Sequence, residues 1–511
     1  MALRASRWLD HRVARGVTVR HIARGLARGL ARGLALGLAI AVVAVAARWR
    51  WDQLVGAQTP YIDADTKVFQ QIAERPPGLG LVFDGKPLVV PLVYRAAGNA
   101  PAAISRIQAE LAFASWAILT AVLAWAVQRP WTRAAAIGVG LAFLFAPTRV
   151  GYTGSLLPES INDSAMALAL AGALAVLRLR GRPRIAAAIA TGLVGVAWLL
   201  IRDTNAFVVA AAAGVTVAVW RSGRSRTAWA LSALIAAACG LVLWTTTVGR
   251  DPLPCQQGWY PRFTPRGAYP LVHNVLWRVY PDERDALPAG LAPFATYRSD
   301  QIERFVRADP EARPLQDWVL DHGAGLYARW LVRHPLDRVR ELFGARWHLF
   351  APRLEAYMAA GWDPGTGSLR ALTANRWLLM VLLLAGPWLL WRPRGDPRRG
   401  AALCVVVSGV VGIVASYYGD ATELRRHCYG PGQQVLLGLV IGALVAIDRV
   451  RRRRASAGEV RSDDGSAASA DRGAGASADS AGVAFRPGAA RAPAGAWRAA
   501  GCRRPIRPAR G

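Results

Sequence analysis

PESINDSAMALALAGALAVLRLRGRPRIAAAIATGLVGVAWLLIRDTN, Pro158 to Asn205, decides the fold class. It contains two apolar runs, each close to the roughly 20 residues that carry a helix through a hydrocarbon core. They are joined by RLRGRPR, Arg178 to Arg184. Arginines between two such runs mark a cytoplasmic loop, because short loops rich in Lys and Arg are retained on that side. The far ends are different. Pro158 opens the first run with Glu159 in its first turn, where the helix dipole favours an acid, and IRDTN turns the second run back at Arg202 and Asp203.

Working outward, the same alternation recurs. Apolar runs at 30–47, 110–127, 134–146, 228–248, 377–391 and 401–418, another ending at Trp220 and a last one ending at Asp448 complete the set. Basic clusters at Arg129 and Arg133, at Arg221, Arg224 and Arg226, at 392–399 and at Arg449–Arg454 fall on one side of it. The pattern predicts an all-α, polytopic membrane protein of about ten transmembrane helices in the cell (inner or plasma) membrane, with both termini cytoplasmic. Residues 1–29 are a basic cytoplasmic segment, 30–448 the multi-spanning domain, and 449–511 a basic tail of Ala, Gly, Ser, Arg and Pro, expected to be disordered. Near the start, Gly25, Gly29, Gly33 and Gly37 stand four apart, a spacing that permits close helix packing.

Two external loops are long. The first, about 48–108, holds an amphipathic stretch from Asp65 to Glu74 with Phe69, Ile72 and Ala73 on one side, expected to lie on the membrane surface. The second, 250–375, is rich in Pro, Trp and Tyr and reads as a small extracytoplasmic subdomain. Its most helical part is ARWLVRHPLDRVRELFGARWHLF, Ala328 to Phe350, where apolar and basic residues alternate at helical spacing, again suited to a bilayer surface.

The net charge of +30 over 511 residues would suggest nucleic acid in a soluble protein. Here 53% of the residues are hydrophobic and the arginines lie between apolar runs, so the charge reports topology and contact with anionic lipids of the bilayer, and no nucleic-acid partner is expected. The five cysteines make no metal-ligand spacing: Cys239 and Cys404 lie in apolar runs and Cys502 in the tail. Cys255 and Cys428 fall in external loops, and no disulfide between them is expected.

This topology collects Asp63, Asp65, Glu159, Asp163, Arg202, Asp203, Asp420, Glu423, Arg425, Arg426 and His427 at the external ends of helices. A carrier tends to keep its polar site near the midplane on broken helices. Charges of both signs gathered at one membrane face suit chemistry on a lipid headgroup instead.

Several short motifs, in order along the chain, resemble the polytopic GT-C glycosyltransferases that use polyprenyl-phosphate sugars, among them the aminoarabinose and mannosyl transferases. They are DTKVFQQIA from Asp65, GKPLVVPLVY around Lys86, PES at Pro158, IRDTN after the fifth span, His334-Pro335, and ELRRHCYGPGQQ before the last span. The resemblance covers about residues 30–448. Two positions depart from it: Thr66 stands where many members carry Glu, and GKPL has one Pro where two are common.

The resemblance implies an inverting transfer of a sugar from a polyprenyl-phosphate donor to a glycan, lipid or protein acceptor at the extracytoplasmic face, within cell-envelope glycan biosynthesis. A sugar hydroxyl needs a base, and a positioned carboxylate contributes about 10²- to 10⁴-fold. Asp65 is the first candidate and Asp63 the second. The leaving phosphate needs cations, for which Lys86, Arg425 and Arg426 are candidates, with His427 assisting when protonated. Glu159 could hold a divalent metal, magnesium or manganese, or orient the acceptor. The other readings of these residues are a dipole-stabilising cap for Glu159 and a headgroup-level ion pair for Arg202 with Asp203. A lipid-linked sugar flippase or transporter, and a non-catalytic scaffold of the same fold, are the alternative classes.

Overall fold

The computed structural model describes residues 41–56, 58–78, 81, 84, 86–219, 235–245, 268–291, 313–350, 397–419 and 424–470. Among them the chain is helical, with an isolated bridge between Tyr61 and Ser155 in place of any sheet. In chain order the helices are α1 (41–56), α2 (Ala64–Glu74), α3 (Val89–Ala96), α4 (Pro101–Ala126), α5 (Pro130–Leu144), α6 (Pro147–Gly154), α7 (Pro158–Arg178), α8 (Arg182–Leu199), α9 (Asn205–Val219) and α10 (Ile235–Thr245). Then follow α11 (268–282), α12 (313–333), α13 (Pro335–Phe350), α14 (Pro397–Gly419) and α15 (Leu424–Ala470). Proline opens α4, α5, α6, α7, α13 and α14, where its missing N–H costs nothing and its fixed φ suits the first turn.

Among the described residues, four helices are long and apolar enough to cross a membrane: α4, α7, α14 and the Arg426–Asp448 part of α15. The pair α5 and α6, bent by 44°, would make a fifth if it forms one span. Of the ten spans expected, the one at 377–391 lies outside the described residues, as does the Gly25–Gly37 repeat, and those at 30–47 and 228–248 lie partly outside them. α4 packs on α5 and α7, α7 on α8, and α9 on α14. These approaches are close because a glycine faces a bulkier partner: Gly140 of α5 faces Thr120, and Gly172 of α7 faces Thr191. Thr120 and Thr191 each return their hydroxyl to their own helix, at the carbonyls of Trp116 and Ala187, so the contact leaves no polar group unpaired.

At one end of this bundle Asp448 of α15 is fully buried. It accepts from the Thr132 hydroxyl (3.3 Å) and the Gln128 N–H (3.4 Å) and faces Arg398 Nη1 at 3.4 Å, which also donates to the Ala126 carbonyl. At the opposite end the large loop supplies a second core. α11 and α12 each carry a π-turn, Val275–Val279 and Val319–Gly323, and they pack through Val272, Val275, Val319 and Trp330. This pair caps the end of α14. Asn274 donates to the carbonyls of Tyr418 and Gly419, Tyr327 to that of Tyr418 (2.6 Å) and Arg278 to that of Tyr417 (2.6 Å), which satisfies carbonyls that a helix C-terminus leaves open.

Five local expectations are corrected. The first external loop is shorter than 48–108, because α1 runs on to residue 56 and α4 starts at Pro101. Arg48 makes a paired 2.6 Å contact with Glu110 and also reaches Asp52, so these charges can stay on helices. Helix α2 does not offer its apolar face to a membrane: Val68, Phe69, Ile72 and Ala73 are buried against Leu81, Leu88 and Tyr94. TRVGYTG, which the alternation of apolar runs makes the point where the chain re-emerges outside, is the buried helix α6, held because Arg149 pairs with Asp163 (2.5 Å) and lies 3.7 Å above the Trp116 ring. ELRRHCYGPGQQ is helical from Leu424, and Pro431 sits inside α15 rather than in a turn before it. Gly409 and Gly412 of α14 make the room, since a Cβ at Gly412 would stand 3.0 Å from that of Pro431. Helix α15 continues through residues 449–470 of the tail expected to be disordered, and residues 471–511 lie outside the described residues.

Candidate functional site

The site is assembled at helix ends on one side of the bundle. Tyr61 fixes the approach, its N–H donating to the Gly154 carbonyl (2.8 Å) and its own carbonyl accepting from the Leu156 N–H (3.0 Å). Thr66 continues the seam: its hydroxyl donates to the Leu156 carbonyl (2.7 Å) and accepts from the Asp63 N–H (3.0 Å). Asp63 thereby sits just before α2 and Asp65 in its first turn, where the helix dipole favours anions.

Arg426, in the first turn of α15, comes down onto these acids. Its Nη2 lies 2.9 Å from Asp65, its Nη1 3.4 Å from Asp63 and its Nε 3.4 Å from Glu159. Lys86 holds the other Asp65 oxygen at 2.8 Å, and Arg202, in the turn between α8 and α9, stands 3.3 Å from Glu159. His427 Nε2 is 3.3 Å from Arg426 Nη2. Three carboxylates thus meet three fixed cations. The side chains of Arg426 and Glu159 are only 4% and 3% exposed, so their charges are tolerable only as partners. Asp65 is 29% exposed and forms the open side of the cluster. Burial would raise its carboxyl, but the charges and hydrogen bonds of Lys86 and Arg426 outweigh that and hold it below the usual carboxylate range. The Tyr94 hydroxyl is pushed up by burial, reinforced by the negative charges of Glu159 and Asp65.

A second polar layer supports the first. Glu159, Asn162 and Asp163 share one face of α7 at helical spacing. The Asn162 side-chain oxygen accepts from Trp198 Nε1 (3.0 Å) and Asn205 Nδ2 (2.8 Å), tying α7 to both sides of the turn that carries Arg202. The buried hydroxyls of Tyr94, Tyr152 and Tyr429 have no hydrogen-bond partner among the described residues, and neither oxygen of Glu159 takes a hydrogen bond. Glu159 is balanced by the charges of Arg202 and Arg426 instead.

Six of the sequence candidates therefore come together: Asp63, Asp65, Lys86, Glu159, Arg426 and His427. The side chain of Arg425, and all of Asp420 and Glu423, lie outside the described residues. Arg202 reaches Glu159 instead of serving only as a headgroup-level partner of Asp203. Thr66, Asn162 and Asn205 were not anticipated, and their spacing carries no signal, because each acts through a segment distant in sequence. For a metal at Glu159 the fit is poor: its carboxylate faces two guanidinium groups, and among the described residues no three His, Cys, Asp or Glu side chains form a ligand set. Compared with family models, curated proteins and solved structures, the chain finds no match.

Proposed function

We propose that the protein is an integral-membrane glycosyltransferase of the GT-C type, which moves a sugar from a polyprenyl-phosphate donor to an acceptor at the extracytoplasmic face. Ten spans with both termini in the cytoplasm belong to the same reading. The observation that carries it is the convergence of Asp65 with Lys86 and Arg426 beside Glu159 and Arg202, with Glu159 and Arg426 in the first turns of two membrane-length helices.

In this reading the acceptor hydroxyl attacks the anomeric carbon from the face opposite the phosphate and gives its proton to Asp65. The bond from that carbon to the phosphate oxygen breaks with its electron pair, and the growing negative charge on the polyprenyl phosphate falls to Lys86 and Arg426. Arginine suits that task because it makes paired, charge-assisted hydrogen bonds to phosphate. The pairing of Asp65 with both cations adds an ordering. Lys86 and Arg426 both hold Asp65, and an Asp65 so held is a weak base. A donor phosphate competes for the same cations, so its arrival releases the carboxylate and raises its basicity when the acceptor needs it.

The test compares lipid-linked sugars and surface glycans in cells carrying the protein, lacking it, or carrying Asp65→Asn. Loss of the protein and Asp65→Asn should both make a polyprenyl-phosphate sugar accumulate and one glycan modification disappear. Identical profiles in all three strains, with the variant present in the membrane, would overturn the proposal.

A further inference from the structure

Among the described residues, an apolar stripe lies uncovered outside the helices read as membrane spans. Val332 at the end of α12 and Leu336, Val339 and Phe343 on α13 are 77%, 71%, 50% and 62% exposed. They follow one another at steps of four, three and four residues. At about 100° per residue, the three on α13 fall within an arc of about 60°. The opposite side of α13 is occupied. Leu342 and Ala345 pack against the main core, Glu341 accepts from the Tyr417 hydroxyl (3.0 Å) and faces Arg278 (2.9 Å), and the Arg338 carbonyl accepts from the Tyr418 hydroxyl (2.5 Å). These contacts pin α13 to the last turn of α14, one of the membrane-length helices. It therefore lies at the level where that helix leaves the hydrocarbon.

Elsewhere such exposure belongs to helices of the bundle: Ile185, Ile189, Leu193 and Val196 make an equally bare stripe along α8. Helix α13 cannot be a span, since Asp337, Arg338, Arg340 and Glu341 interrupt its 16 residues. Arg340 flanks the stripe, and its side chain is 80% exposed, held only at the edge by Asp337 at 3.4 Å. Arg333 flanks it on the preceding helix, its side chain 59% exposed and 3.3 Å from Glu283. An apolar strip bordered by long cationic side chains is what an in-plane helix presents to a bilayer: the strip enters the acyl boundary and the guanidinium groups rise to the lipid phosphates.

We infer that α13, with the end of α12, is an interfacial helix that docks on the phospholipid leaflet beside the outer end of α14, with Val332, Leu336, Val339 and Phe343 immersed and Arg333 and Arg340 at the headgroup phosphates. The inference rests on the membrane reading of α14 and is separate from glycosyl transfer. It means that the lid over the Arg278–Glu341–Tyr417 junction is held partly by lipid, so α13 responds to the bilayer as well as to the protein.

The test places spin labels in the full chain, with Cys255→Ser and Cys502→Ser removing thiols outside the described residues. Leu336→Cys, Phe343→Cys and Arg340→Cys are labelled separately and reconstituted in vesicles of equal parts phosphatidylcholine and phosphatidylglycerol. Labels at 336 and 343 should be relaxed more by oxygen than by a water-soluble nickel chelate, and the label at 340 more by nickel. Equal nickel access at all three positions would overturn the inference, because the stripe would then face water. Dipolar broadening at 336 and 343 that vanishes on dilution with unlabelled protein would also overturn it, because a second copy would then be the occupant. Unfolding caused by one label is recognised by loss of the Trp330 environment, and Val339→Cys then replaces it.

Discussion

Replacing Arg426 with Ala removes the one cation that touches all three carboxylates of the site. What remains is Lys86 on Asp65 at 2.8 Å and Arg202 on Glu159 at 3.3 Å, two cations against three acids. Asp63 loses its contact with Arg426, and Glu159, at 3% exposure, keeps one of its two guanidinium partners. Breaking a buried ion pair from one side costs about 3–5 kcal/mol, because the partner charge stays desolvated. The contacts to Asp63 and Asp65 are partly exposed and count for less, so the estimate for Arg426→Ala is about 3–5 kcal/mol in total. Arg426→Lys keeps the charge but reaches fewer acids at once, and should cost about 1–3 kcal/mol. Reversible unfolding in mixed micelles measures both. The sharper check is the double mutant Arg426→Ala with Glu159→Gln. Neutralising the stranded acid should recover about 1–3 kcal/mol of the loss. If Arg426→Ala costs under about 1 kcal/mol, or if Glu159→Gln recovers nothing, the cluster is solvated and the reasoning from burial is refuted.

Four further outcomes follow from the structure. Asp65→Asn should lower turnover by about a hundredfold or more and Asp63→Asn by less, and the opposite order would exchange their roles. The paired Asp65 carboxyl lies below its ordinary value, so its stabilising contribution is complete above about pH 4 and is lost only as pH falls further through the folded-state value; if donor phosphate releases it, the acid limb of kcat should sit at higher pH than that of kcat/KM, and coincident limbs would refute the release. A membrane-impermeant maleimide on intact cells should label Cys255 but neither Cys502 nor Cys428, the last because it is fully buried with its Sγ against the Ile413 carbonyl, contrary to its sequence expectation as a loop cysteine; labelling of Cys502 without permeabilisation would overturn the topology. Gly412→Val should destabilise by about 1–3 kcal/mol through overpacking against Val208 and Pro431, read as a fall in thermal midpoint, and an unchanged midpoint would mean α14 and α15 are less closely packed.

Much of this architecture is legible along the chain because it depends on local quantities. Apolar runs of membrane length, arginines between them and prolines at their starts are enough to make the described residues helical, to place membrane-length runs at 110–127, from Pro158 to Arg178 and at 401–418, inside or close to helices Pro101–Ala126, Pro158–Arg178 and Pro397–Gly419, and to put Glu159 in a first turn. The same patterns misplace the first loop and the last one, since an ion pair such as Arg48 with Glu110, or a gap such as Gly412 opposite Pro431, can carry a helix past a charge or a proline that would end it alone.

Periodicity shows that α2 and α13 each have an apolar face, and by itself determines nothing about what covers it. Only the tertiary structure separates them, burying Phe69 and Ile72 under Tyr94 and Leu88 while leaving Leu336 and Phe343 bare. The candidate site divides the same way. Its carboxylates and basic residues are visible as residue types near helix ends, but the pairing of Arg426 with Asp63, Asp65 and Glu159, and of Arg202 with Glu159 beyond its neighbour Asp203, spans up to 363 positions. The physical reason is that desolvation selects partners by distance in space: a buried charge is stable only where the packed helices bring an opposite charge within reach, and that choice is made by the fold.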